Sequence, residues 1–65
     1  MSVYTKQQLD SMLSKLGLSD EQVNTWWNSP NKAFGDIEPI VIYTATEQGE
    51  QTVTNYVLTS YWGDY

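Results

Sequence analysis

Apolar residues between positions 4 and 17 recur at Leu9, Met12, Leu13 and Leu16, the spacing of one helical face. Both ends of that stretch are marked. Thr5 followed by Gln8 makes a capping box, and Tyr4 ahead of it is placed to pack on Leu9 as a hydrophobic staple. Gly17 predicts the stop: past the C-cap it takes the left-handed conformation and lets Leu18 fold back onto Leu13. The pattern predicts a helix over 4–17. The same grammar then repeats over 19–28, with Ser19 as cap, Gln22 closing the box, Leu18 stapling to Val23, and Asp20 and Glu21 where the helix dipole favours negative charge. Val23, Trp26 and Trp27 share the inner side of this second helix. Pro30 ends it, because Ser29 ahead of a proline is biased out of the helical region.

Residues 30–38 are punctuation, and they read as a structural corner around which the chain is organised. Asn31 caps a short turn through Ala33 and Phe34, Gly35 breaks it, and Phe34 is the inward anchor. Asp36 or Glu38 is placed to cap a new turn starting at Pro39, a residue suited to the first helical position. Within 26–39 lie Trp26, Trp27, the one Phe and both Pro of the chain, so the largest apolar payload sits beside the most backbone punctuation.

The segment 39–65 supports two readings. Ile40 to Thr44 and Thr52 to Val57 are β-branched and aromatic, with Glu47-Gln48-Gly49-Glu50 between them, which by propensity predicts a β-hairpin at about 40–62 after two N-terminal helices, an α+β fold. Against this, Gly49, Val53, Tyr56, Val57 and Tyr61 recur at helical spacing, Thr46 with Glu47 makes a helix start, and Gly63 makes a stop. That reading predicts a mainly α, compact bundle of three to four short helices.

Composition narrows the possible chemistry. The 65 residues form a single small domain, and they include neither Cys nor His, which rules out disulfide and zinc staples and leaves the aromatics as the main source of stability. Eight acids stand against Lys6, Lys15 and Lys32, with no Arg and a net charge of −5. Direct nucleic-acid binding is disfavoured, because affinity for phosphates comes mostly from Lys and Arg. The helix pair is for the same reason no DNA-reading motif. No apolar run is long enough to span a membrane and no signal sequence is evident, so a cytoplasmic location is expected. No nucleophile–base pair can be drawn without His or Cys, so no enzyme, cofactor or metal is expected. The Asp36/Glu38 and Glu47/Glu50 pairs read as solvated surface.

From Trp27 onward the order and spacing of Trp27, Pro30, Asn31, Ala33, Phe34, Gly35, Pro39, Ile40, Ile42, Thr46, Gly49, Val53, Gly63 and Tyr65 are those of a known module. This stretch resembles the toxin-binding domain of the MbcA/ParS/Xre antitoxin family, whose members neutralise RES-domain toxins. It departs from the family pattern at Asp36, where a second Gly is usual, in one extra residue between Pro39 and Thr46, and in Val/Thr/Tyr-rich terminal segments where the family is Leu- and Ala-rich. The family's DNA-binding domain is not expected here, so operator binding is not carried over. The resemblance implies a mainly helical module that binds and blocks another protein. Because the end of the family's domain lies against the toxin's NAD-consuming active site, it implies partner contact at Tyr61, Trp62, Asp64 and Tyr65.

Tyr and Trp are favoured interface anchors, and Asp64 could pair with a basic partner residue. The corner acids Asp36 and Glu38 join the candidate partner-binding set. Trp26, Trp27, Pro30, Asn31, Phe34, Gly35 and Pro39 form the structural set. The expected partner is another protein, a RES-type toxin or a host defence protein, and the chain itself is expected to be a monomer or homodimer. The alternative function is a phage- or mobile-element-encoded inhibitor of host defence, of the anti-CRISPR type, acting as an acidic nucleic-acid mimic.

Overall fold

The computed structural model describes residues 3–62. Four α-helices follow one another, α1 (Lys6–Lys15), α2 (Asp20–Asn28), α3 (Pro39–Ala45) and α4 (Glu47–Trp62), with a short 3-10 turn at Lys32–Phe34 between the second and third. They form a small helical bundle. No strand occurs among the described residues; the one β feature is an isolated antiparallel bridge between Asn31 and Ile37 at the corner.

Helix α1 is shorter at both ends than the span 4–17, because its two boundary signals lie outside it. Thr5 is the N-cap and not a helical residue: its hydroxyl accepts from the Gln8 amide, while the Gln8 side chain accepts from the Thr5 amide. Past the C-cap Leu16, Gly17 adopts φ +105°. The Gly17 amide donates to Ser14 O and the Leu18 amide to Leu13 O, the paired bonds of a Schellman ending. Helix α2 starts one residue later than 19–28 for the same reason, since Ser19 is the cap and makes the equivalent reciprocal pair with Gln22. Its last residue is Asn28, with Ser29 extended ahead of Pro30.

The corner forms as its residues dictate. The Asn31 side chain accepts from the Ala33 amide, Phe34 is buried, and Gly35 turns left-handed at φ +68°. Asp36 is also left-handed, at φ +63°, a conformation that Asp tolerates better than most residues. Neither Asp36 nor Glu38 caps α3 through its side chain. Glu38 occupies the cap position without a side-chain bond, and Pro39, fully buried at the first helical position, sets the helix direction.

The β-hairpin reading of 40–62 is overturned: both β-branched segments are helical, as α3 and most of α4. Two physical reasons are visible. Val53, Thr54 and Val57 are completely buried on one side of α4, an arrangement that helical spacing provides and strand alternation would not. The Thr46 hydroxyl accepts from the Gly49 amide at 2.9 Å and so caps the start of α4, while the other hydroxyls find partners within their own helices, Thr44 donating to Ile40 O in α3, and Thr52 to Gln48 O and Ser60 to Tyr56 O in α4. The largest helix–helix contact is α3 on α4, and α4 also packs on α1. Gly49 makes the first of these possible, because a Cβ there would lie 2.0 Å from Ile42 O.

Leu9, Leu13, Val23, Trp27, Phe34, Val53 and Val57 form the core, with Tyr4, Met12, Leu18, Trp26, Ile40, Ile42 and Tyr43 packed around it. Trp27 sits at its centre, about 1% exposed. Its indole N–H donates to Asp10, whose other carboxylate oxygen pairs with Lys6 at 3.3 Å, and the Lys6 ammonium lies 5.0 Å from the Trp27 ring centroid. One carboxylate thereby ties α1 to the buried indole of α2.

Candidate functional site

Two aromatic clusters are built on this frame, and they differ in how they meet solvent. The first lies at the corner. Trp26 meets Trp27 edge to face at 5.1 Å and Phe34 edge to face at 6.4 Å, and it stacks on Tyr56 at 6.2 Å. Phe34 meets Tyr56 at 5.2 Å. The cluster runs from the core at Trp27 and Phe34, through half-buried Trp26, to Tyr56 at the surface. Of the residues expected to be structural, Trp27, Phe34 and Pro39 are buried, Trp26 and Asn31 are half-buried, and Gly35 is exposed with a left-handed backbone. Pro30 is exposed, and it acts by ending α2 and not by packing.

The second cluster is the end of α4. Tyr61 is half-buried and Trp62 is 72% exposed, the most exposed large apolar side chain among the described residues. The two rings meet edge to face at 5.3 Å, so Trp62 has Tyr61 as its aromatic neighbour and does not fold back onto Trp26 or Trp27. Asp64, Tyr65 and Gly63 lie outside the described residues. Asp36 and Glu38 are on the corner before α3, and no hydrogen bond or aromatic contact among the described residues joins them to Tyr61 or Trp62. Of the four expected partner-binding residues that are described, Asp36 and Glu38 thus lie on the corner, and Tyr61 and Trp62 come together at the end of α4.

Electrostatics around these clusters are one-sided. Lys6 with Asp10 is the ion pair among the described residues, while Asp20, Glu21, Asp36 and Glu47 are exposed carboxylates outside any such pair. Every buried side-chain nitrogen and oxygen among the described residues has a hydrogen-bond partner. No group of three His, Cys, Asp or Glu among them is arranged to hold a metal ion, and no helix among them is long and apolar enough to cross a membrane.

Three features escaped the sequence reading. The chain entering α1 is strapped across the bundle: the Tyr4 amide donates to Thr54 Oγ1 at 3.3 Å, and the Tyr43 hydroxyl donates to Tyr4 O at 2.6 Å. Burial, together with the charge of nearby Glu50, raises the Tyr43 phenol above its ordinary value of 10.0. Asp10 reads in sequence as a surface acid, with only its four-residue spacing from Lys6 to hint at a partner. The third is a groove of about 540 Å³ along the outer side of α2, between Leu18 and Asn31. Its residues Glu21, Gln22, Thr25, Trp26 and Ser29 share one helical stripe, a periodicity hidden in the sequence by their mixed polarity.

Comparison of the chain with protein-family models, with curated proteins and with solved structures returns no match.

Proposed function

We propose that the chain is a small acidic protein-binding inhibitor, antitoxin-like, that blocks a partner protein through the aromatic end of α4. The observation that carries this reading is Trp62, 72% exposed and set edge to face against Tyr61 at the end of α4. A solvated indole adds little to folding, whereas Trp and Tyr are the residues most often found as energetic anchors in interfaces. The resemblance over Trp27 to Tyr65 supplies the partner class, a RES-domain toxin whose NAD consumption would be blocked. Binding and not catalysis is the role, since the chain has neither His nor Cys from which to build an activated nucleophile.

Coexpression with a RES-domain toxin tests it directly: the intact chain co-purifies with the toxin and preserves cellular NAD. Trp62→Ala lowers affinity by about 2 kcal/mol, roughly thirtyfold, while changing the midpoint of thermal unfolding little. Normal NAD protection by Trp62→Ala would sink the reading.

A second reading is favoured by a separate observation, the exposed carboxylates lacking basic partners. On this reading the chain is a nucleic-acid mimic that occupies a basic groove on a host defence protein. Salt separates the two. Affinity of a mimic falls steeply as ionic strength rises, whereas docking anchored on Trp62 changes little.

A further inference from the structure

We propose that the groove along α2 is a second interaction surface, one that takes an arginine side chain from an extended basic segment of a partner protein. The groove is open to solvent, offers about 540 Å³ and is lined by Leu18, Glu21, Gln22, Thr25, Trp26 and residues 29–31. That volume lies within the range of about 300–1,000 Å³ typical of small-ligand pockets. Its composition selects the occupant. Glu21 is its one charged residue, and none of Lys6, Lys15 and Lys32 lines it.

Trp26 supplies an indole wall whose orientation is held by Trp27, Phe34 and Tyr56. Leu18 and Pro30 supply apolar surface at the two ends. An indole and a carboxylate lining one groove, with apolar flanks, suit a guanidinium on an alkyl stem: the planar cation would lie on the ring, its N–H groups would turn to the carboxylate, and the methylenes would cover the apolar surface. The chain contains no Arg, so none of its own side chains competes as such an occupant. A basic partner is also favoured by the net charge of −5. This inference does not depend on the role given to Trp62, which lies at the far end of a different helix.

The test is a titration of the intact 15N-labelled chain with the capped peptide Gly-Ser-Arg-Ser-Gly, beside versions carrying citrulline, norleucine or Glu in place of Arg. Chemical shifts of the three Trp indole N–H groups and the backbone amides are followed. Saturable shifts are expected at the Trp26 indole and around Glu21, with the Trp62 indole still. Citrulline, which keeps the shape and loses the charge, should bind about fivefold more weakly. Glu21→Gln should weaken the Arg peptide to a similar degree; Glu21 is exposed, so this variant keeps the fold, which the unchanged amide spectrum verifies. Equal binding of the citrulline, norleucine or Glu peptide would overturn the proposal. So would shifts centred on Trp62, an unaffected Glu21→Gln variant, or no saturable shift at all.

Discussion

Helices α1 and α2 each begin on a reciprocal cap, Thr5 with Gln8 and Ser19 with Gln22, and α1 ends on a left-handed glycine with its paired backbone bonds. Helix α3 begins with a cap residue that makes no side-chain bond, and α4 is rich in Thr, Val and Tyr with a glycine in its first turn. The first pair is specified by neighbours three and four residues apart. The second pair has one side-chain cap, Thr46 accepting from the Gly49 amide at the start of α4, and is otherwise held by being pressed together, α3 on α4 over the site of Gly49, with Val53, Thr54 and Val57 buried. Local signals and tertiary burial thus reach the same secondary structure by separate routes, and the two halves should fail differently when damaged.

The sharpest way to break that contrast is to make the same substitution in both halves. Gly49→Ala puts a Cβ where Ile42 O stands, so α3 must move off α4; a loss of about 3 kcal/mol or more is expected, a large part of the stability of so short a chain. Gly17→Ala meets no atom within 4 Å and suffers only the left-handed backbone, at about 1 kcal/mol. Thermal and urea unfolding followed by circular dichroism measure both. Equal losses would mean that α3 and α4 do not depend on their close approach.

Next in size is the link between the core and the locally coded pair. Trp27→Phe keeps a ring but removes the N–H that Asp10 accepts and leaves a gap at the centre of the core, for an expected loss of about 2 kcal/mol. Urea denaturation of this variant beside Asp10→Ala and the double variant gives the coupling between the two residues; additive losses would show that the bond carries none of it.

Smaller still is the loss of a cap. Ser19→Ala removes the acceptor for the Gln22 amide, and about 1 kcal/mol should be lost. Amide hydrogen exchange should show the change concentrated in the first turn of α2, with α4 hardly affected.

The smallest effect concerns the strap over the tertiary half. Tyr43→Phe deletes the bond to Tyr4 O, worth about 0.5–1 kcal/mol. The phenol's raised value in the folded state means that its contribution is fully present below pH 10.0 and is lost as pH rises through the higher folded value. Stability of the unaltered chain should therefore fall on that alkaline side, and Tyr43→Phe should show less of this fall. Parallel alkaline unfolding curves for the two proteins would remove Tyr43 as its source.

The candidate site shows the same division. The exposure of Trp62 is legible, because a Trp next to Tyr at the end of a polar helix has little left to pack against. The groove beside Trp26 is not legible, because Leu18 and Pro30 join the stripe on α2 only once the Gly17 turn and the corner have bent the chain toward it. The hydrogen bond between Asp10 and Trp27 is hidden for a similar reason, since they stand seventeen positions apart with a tight turn between them.

What the sequence determined by itself is the pair α1 and α2, their caps and stops, and the corner from Pro30 to Pro39, because those choices are made between residues within one helical turn or one tight turn. Within residues 40–62 the start of α4 at Thr46 was legible too, but the choice of helix over strand was left to the tertiary structure. There β-branched propensity and helical periodicity oppose one another, and burial of Val53, Thr54 and Val57, with α3 seated against Gly49, outweighs the propensity of the isolated segment.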